Sequence, residues 1–201
     1  MRIRFVYQFA LVGAAATLLA GCGGSAPRQP SPAPSSSPGA EPMLAPKVAQ
    51  PLTNTAAYEA DPCSALPISE IEKVGGKVKG TSIAESIVGK SCQWTFDGST
   101  GNVSGGFYSG NKLGLNSLYL ENRDGHLSLF QPHAPVEGYP AVVYGAGDEG
   151  KGSCALAVGV RDDLTYTVNT QLRTGNPALA DPCKMAEQIA AAEITRLKAA
   201  S

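Results

Sequence analysis

Hydrophobic and polar positions fall into three regimes along the 201-residue chain. From Phe5 to Leu19 the residues are almost uninterruptedly apolar or small, with Gln8 the one strongly polar break. From Gly23 to Pro51 no period exists: eight prolines (27, 30, 32, 34, 38, 42, 46 and 51) are mixed with Ser, Ala and Gly. Only from Leu52 onward do the repeats of 2 and 3.6 residues that mark secondary structure set in. Pro67–Val74 predicts a short helix, with Ile68 and Ile71 on one face and Gly75-Gly76 as its stop. Residues 77–83 and 91–97 read as strands, the second placing Cys92, Trp94 and Phe96 on one core-facing side; Asn102–Tyr108 is a third strand. Leu113, Leu115, Leu118 and Tyr119 fit a short helix or an irregular packed segment. Asp124-Gly125 marks a turn, Val136–Tyr144 a strand interrupted by Pro140, and Gly145–Gly152 a glycine-rich hairpin loop. Ser153–Val160 and Leu164–Leu172 flank Arg161-Asp162-Asp163 as an antiparallel hairpin. Asp181 suits an N-cap and Pro182 the first position of a closing helix, whose Ala186, Ile189, Ala190, Ile194 and Leu197 share one face. The expected fold is α+β: a twisted antiparallel sheet with an N-terminal short helix and a C-terminal helix packed on it.

The first regime is an address. Arg2 and Arg4 precede the apolar run, which is too short for a membrane span of about 20 residues and ends in small residues, the layout of a cleaved export signal. Leu19-Ala20-Gly21-Cys22 resembles a bacterial lipobox. The resemblance implies cleavage between Gly21 and Cys22 and a diacylglyceryl group on the Cys22 thiol, with further acylation of the new amino terminus. Two or more acyl chains anchor a protein stably where one does not, at about 0.8 kcal/mol per buried CH₂. The rival is an ordinary signal peptide with a chance cysteine. The expected organisation is a signal peptide over 1–21, a lipidated Pro/Ser/Ala-rich tether over 22–51, and a single α+β domain over 52–201. A tether of this composition cannot bury enough apolar surface to fold, and at roughly 3 Å per residue it reaches on the order of 80 to 90 Å.

Charge and cysteines narrow the classes. Loss of residues 1–21 removes two of the 16 basic residues and none of the 17 acidic ones, a formal balance of −3. No basic surface is implied: nucleic acid and anionic membrane surfaces both demand clustered Lys and Arg, no such run exists, and no nucleic-acid partner is expected. Assigning Cys22 to lipid leaves Cys63, Cys92, Cys154 and Cys183, an even set suited to two disulfides in an exported domain. No two of them lie close enough in sequence for a zinc motif, so neither a metal nor another cofactor is expected. Four cysteines allow three pairings. Cys63–Cys92 with Cys154–Cys183 is the choice favoured by topology: the first helix and the strand returning from it bring Cys92 near the helix start, and the hairpin turning at residues 161–163 brings Cys154 near the start of the last helix. Cys63–Cys183 with Cys92–Cys154 remains the competing arrangement.

Several positions together carry a family pattern: Pro51-Leu52 ahead of Asp61-Pro62-Cys63-Ser64-Ala65-Leu66, then Cys92-Gln93-Trp94, Gly138-Tyr139-Pro140-Ala141-Val142, Cys154 in a strand, and Asp181-Pro182-Cys183 with Ala186 and Glu187. The chain resembles the actinobacterial lipoproteins grouped as domain of unknown function 3558. The likeness covers nearly all of residues 51–198. It implies a lipid-anchored domain on the outer face of the plasma membrane, and it supplies no catalytic residues to carry over.

Candidate chemistry is sparse. Gly145–Gly152 nearly spells a phosphate-binding loop, but Gly152 stands where Ser or Thr must follow Lys151, and a strand follows where a helix is required. His126 and His133 lie in a polar, Pro-containing loop near Asp124, with no third ligand and no nucleophile elbow, and read as solvated. Asp148, Glu149, Asp162 and Asp163 sit at loop tips and do not face each other across a cleft, as glycoside hydrolysis requires. Tyr108, Tyr119, Tyr139, Tyr144 and Tyr166 fit either a binding groove or, more simply, buried strand positions. The expectation is a non-enzymatic binding or accessory module held to the membrane through Cys22, its partner an envelope protein or lipid; the alternatives are a carrier or sensor of a small apolar ligand and, behind it, an envelope hydrolase. Cys22→Ala is expected to move the protein from the detergent phase to the aqueous phase of a detergent-partition assay; a wild-type chain already in the aqueous phase rules the lipobox out.

Overall fold

The computed structural model describes residues 42–110, 112–145 and 151–200. Its framework is one seven-stranded antiparallel sheet made of two meanders. The first is β1 (Val78–Ser86), β2 (Gly89–Phe96) and β3 (Gly101–Tyr108); the second is β4 (Leu129–Val136), β5 (Tyr139–Gly145), β6 (Ser153–Arg161) and β7 (Leu164–Leu172). The last strand of each meander pairs with the last strand of the other, giving the order β1-β2-β3-β7-β6-β5-β4. Four helices accompany the sheet among the described residues: α1 (Ala56–Ala60), α2 (Ile68–Gly75), α3 (Asn116–Arg123) and α4 (Pro182–Ala199).

The core forms on one face because every second residue of the central strands is apolar there. Cys92, Trp94 and Phe96 of β2, Val103 and Phe107 of β3, Leu164, Tyr166 and Val168 of β7, and Leu156, Val158 and Val160 of β6 are all buried. The register places Trp94 opposite Val103 and Phe107 opposite Tyr166, whose rings sit 4.9 Å apart in a tilted pair. α4 lies across β6 and β7 on this face, and its Ala186, Ile189, Ala190, Ile194 and Leu197 are buried as the helical spacing predicts. Asp181 caps it by accepting from Lys184 N at 2.9 Å. The last turn of α2 also reaches the core: a Cβ on Gly75 would meet Phe96 and Met185 side chains, so only glycine fits this close approach.

Both disulfides form in the topologically favoured arrangement, Cys63–Cys92 and Cys154–Cys183, with Cα atoms 4.8 and 5.2 Å apart. Each fastens the start of a helical segment to the sheet. Cys63, in a 3-10 turn over Pro62–Ser64 that leads to α2, is tied to the middle of β2, and Cys183, at the start of α4, to the beginning of β6. A loop of 29 residues stabilises the fold by about 3 to 4 kcal/mol in the chain-entropy account.

Four expectations are corrected. First, His133 does not lie in a loop: residues 129–136 form β4, an edge strand, and Pro132 and Pro135 are tolerated because an edge strand need not donate every N–H to a neighbour. Second, Val136–Tyr144 is not one strand; the chain turns at Glu137-Gly138, with φ of 52° and 88°, and Tyr139 opens β5. Third, Ile68 is exposed, while Ile71 alone of that pair enters the core. Fourth, the ordered domain begins before Leu52. The Asn116 side chain accepts from Leu44 N and Ala45 N and donates to Pro42 O, Val48 N donates to Asp162 Oδ1, and Leu52 N to Val160 O. The tail of the expected tether, residues 42–51, therefore lies on the domain, because these bonds and the burial of Ala45, Val48 and Leu52 outweigh its loop-like composition.

One polar group in the core is not explained by the apolar pattern. Glu193, on the buried face of α4, is fully buried, and among the described residues neither its carboxylate oxygens nor the hydroxyl of buried Tyr166 has a hydrogen-bond partner. Burial pushes the Glu193 carboxyl up to about 7 from its usual 4.5, with Arg196 pulling weakly the other way, and the Glu193 charge in turn raises Tyr166 beyond what its own burial does. Between pH 4.5 and 7 the folded chain thus holds a proton that the unfolded chain releases, so stability falls as pH rises through this window, by about 3 kcal/mol. Urea denaturation at pH 5 and pH 8 should show that loss in the wild type, and Glu193→Gln should remove most of it; an unchanged pH slope in the variant assigns it to other groups.

Candidate functional site

The opposite face of the sheet is divided. On the β5–β6 side Val142 and Ala157 are buried under Ala45 and Leu115, with Leu118, Tyr119, Phe130 and Tyr144 packed around them. Tyr119 meets Phe130 edge-on at 4.9 Å. On the β2–β3–β7 side the same face carries Gln93, Asn102, Ser104, Asn169 and Gln171, half-buried or exposed, with Thr165 and Thr167 buried at its border, the polar half of strands whose other half is core. α3 covers the first part and stops at the border of the second.

At that border lies a cleft of about 220 Å³. Leu118 and Glu121 of α3 form one wall, Val88 and Tyr108 the other, and Tyr144, Thr165 and Thr167 of the sheet contribute its floor. Gly114, with φ of 51°, lets the loop into α3 pack against the β6–β7 turn: a Cβ there would strike Asp162 O. Ser117 also lines the cleft, but its hydroxyl donates to Gly114 O at 2.9 Å. The Tyr144 hydroxyl is pushed up to about 12 by burial first, then by neighbouring Tyr108 and Glu121, while a hydrogen bond with Thr167 opposes them. Its phenol therefore stays protonated across the physiological range. The cleft offers two tyrosines, hydroxyls and one rim carboxylate, with no cationic side chain in its lining among the described residues.

A second, shallower groove of about 420 Å³ runs between Leu66-Pro67 and the solvent side of α4, walled by Ala191, Ala192 and Ala199 with Glu70 and Arg196 at its edges.

The candidate residues named from sequence distribute as follows. Tyr139 and Tyr166 are buried, and Tyr119 packs within the smaller apolar cluster; Tyr108 and Tyr144 are half-buried and share the cleft. His126 is exposed beyond α3, and the His133 ring nitrogen sits 2.8 Å from Ala134 O; neither lines the cleft or the groove. Among the described residues no group of three His, Cys, Asp or Glu side chains is placed to hold a metal ion. Asp162 holds Val48 N at 3.0 Å, and Asp163 pairs with Arg161 at 2.9 Å, which keeps its carboxyl below the usual range. Asp148 and Glu149, with most of the glycine-rich loop, lie outside the described residues, as do Gly21 and Cys22; residue 153, after Gly152, opens strand β6 and no helix. Glu121, Thr165 and Thr167 were not singled out from sequence, although the alternation Leu164-Thr165-Tyr166-Thr167-Val168 already puts both threonines on the non-core side.

Fold and cleft together define an α+β domain, a disulfide-fastened antiparallel sheet with α4 on its core face, α3 on part of the other, and a polar cleft beside α3. Residues 17–196 match the family described as a protein of unknown function, DUF3558, and the chain belongs to that family. Comparison with curated proteins and with solved structures yields no match.

Both histidines are half-exposed or exposed and anchor nothing in the core. His126→Ala and His133→Ala should each change stability by no more than about 0.5 kcal/mol in urea denaturation; a loss of several kcal/mol, or metal retained by the wild type after dialysis, rules out this reading.

Proposed function

We propose that this chain is a lipid-anchored extracytoplasmic binding module, held to the membrane through Cys22, whose cleft takes a small hydroxyl-rich group such as one sugar ring of an envelope component. The anchoring is supported by the Arg2/Arg4 head, the apolar run and Leu19–Cys22, the last lying inside the stretch matched by the family. Two disulfides fit an oxidising compartment.

The binding part is carried by one observation: two tyrosines, Thr165, Thr167 and Glu121 converge on a single cleft on the sheet's free face. Tyrosine rings offer apolar faces to the C–H side of a sugar, while hydroxyls and a carboxylate orient its O–H groups. With Glu121 at its rim and no cationic side chain in its lining among the described residues, the cleft suits a neutral group better than a phosphate or carboxylate. Its size admits one ring rather than a long chain, being below the roughly 300 to 1,000 Å³ of drug-sized sites. Binding is favoured over hydrolysis because Ser117 donates its proton to Gly114 O, and no histidine stands by to activate it. The apolar-ligand carrier has only the open groove over α4 in its favour.

Saturation-transfer NMR on the intact protein in micelles, against a panel of hexoses, pentoses and inositol, tests this. At least one member should bind, and Tyr108→Ala or Tyr144→Phe should weaken it by at least fivefold. Binding to none of the panel, or binding indifferent to both substitutions, overturns the cleft as the site.

A further inference from the structure

We infer that the end of the sheet carrying the β1–β2 turn docks on the lipid bilayer, with Ile87 and Val88 as an apolar wedge. This inference rests on the lipid-anchored reading above and goes beyond it, since an anchor alone leaves the orientation of the domain open.

The antiparallel registers bring four features to one end: the β1–β2 turn at Ile87-Val88, the finish of β3 at Tyr108, the β4–β5 turn at Glu137-Gly138 and the β6–β7 turn at Asp162-Asp163. Ile87 is 98% exposed at the tip of a two-residue turn, where Asn, Asp and Gly are the usual occupants. Two more exposed apolar side chains belong to this end. Met43, 50% exposed, shares a crevice with Arg161 and Asp162, and Leu44, 42% exposed, donates its N–H to Asn116 beside it. Four of the six exposed large hydrophobic side chains among the described residues thus lie at one end of the molecule, with Ile68 and Ile83 elsewhere.

The same end receives the chain. Pro42 O accepts from Asn116, Val48 N bonds Asp162, Tyr139 donates to Gln50 O, and Leu52 N bonds Val160 O, so the first described residues lie at the end that carries the wedge. That connection selects a bilayer as the occupant. The twenty-residue spacing from Cys22 to Pro42 spans at most roughly 60 Å in an extended polyproline form. Tethering of this length supplies an effective concentration on the order of mM, which turns a wedge too small to hold a free protein into a populated contact. Of the acids at this end, Asp162 accepts from Val48 N, Asp163 pairs with Arg161 and Glu85 with Lys90, and exposed Glu137 stands at the β4–β5 turn, while Lys47 and Lys112 are exposed near Asp162 and Asp163. Val88 is also a wall of the cleft, so docking sets the cleft mouth at headgroup level.

The test uses the full lipidated chain in phosphatidylethanolamine/phosphatidylglycerol vesicles with brominated acyl chains. Ile87→Trp should lose at least half of its added emission relative to unbrominated vesicles. Thr174→Trp, at the opposite end where Arg173 N bonds Thr100 O, should lose none; buried Trp94 contributes equally to both. Hydrogen exchange on the unsubstituted protein should show the amides of residues 43–45 and 86–89 slowed at least threefold by vesicles. Equal quenching at positions 87 and 174, or unchanged exchange, in protein that co-floats with the vesicles overturns the docking alone. Failure of the wild type to co-float overturns the anchored reading and the docking with it.

Discussion

The pairing of β3 with β7 is the constraint on which the rest of the structure depends. Each meander alone is a small sheet with an apolar face and an unpaired edge, and joining Gly101–Tyr108 to Leu164–Leu172 removes two edges and merges two faces into one surface. The seam is built for close approach. A Cβ on Gly105 would lie 2.5 Å from the Tyr166 hydroxyl, and one on Gly101 would strike Gln171 O, so β3 can pair with β7 only with small residues at these points. α4 then lies on β6 and β7 beside the seam, and the two disulfides hold one helical segment on each side of it. Because the seam joins residues about 60 positions apart, it is paid in loop-closure entropy, which the bridges reduce in the unfolded chain.

Much of this was legible in the sequence where a period coincided with burial on one side only. Cys92, Trp94 and Phe96, the Leu164–Leu172 alternation, the Asp181-Pro182 start and the apolar face of α4 were readable because each obeys one rule without competition. The disulfide pairing was favoured by the same elements, since a helix and its returning strand can bring their cysteines together, while Cys63–Cys183 with Cys92–Cys154 stayed open until the structure decided it. Where rules competed, the reading failed. Pro132 and Pro135 argue loop in any window, and only the position of β4 at the sheet edge makes them strand residues. Residues 42–51 carry the composition of the tether before them, but Asn116 and Asp162, distant in sequence, supply the bonds that order them. The cleft was hidden for the same reason: Tyr108 and Tyr144 belong to different meanders, and nothing local announces that they meet.

Glu193 shows the limit of periodicity from the other direction. It occupies a core position on α4, four residues before Leu197 and three after Ala190, where the pattern calls for an apolar side chain. An ionised carboxylate there would carry a large desolvation cost without a partner to offset it, so the fold holds the acid protonated instead. This makes the α4–sheet interface sensitive to pH near neutrality although its remaining contacts are apolar. The cost is borne by the central strand through Tyr166, whose hydroxyl lies in the same dry environment.

The cleft is a consequence of proportion. Seven strands spaced about 4.8 Å apart make a sheet about 29 Å wide. α4, with 18 residues, is about 27 Å long and can protect the core face; α3, with 8 residues, is about 12 Å long and cannot do the same on the other. The uncovered strands therefore carry Gln, Asn and Ser, which tolerate water, and the covered ones carry Val142 and Ala157, which do not. A step must exist where the short helix ends, and the residues at a step combine apolar walls with polar floors. Tyr144 meets both demands, its ring packed toward the apolar cluster and its hydroxyl bonded to Thr167 on the polar side. The feature best suited to recognition thus sits where the packing of this sheet is least complete, and the second meander supplies its floor while the first supplies its outer wall.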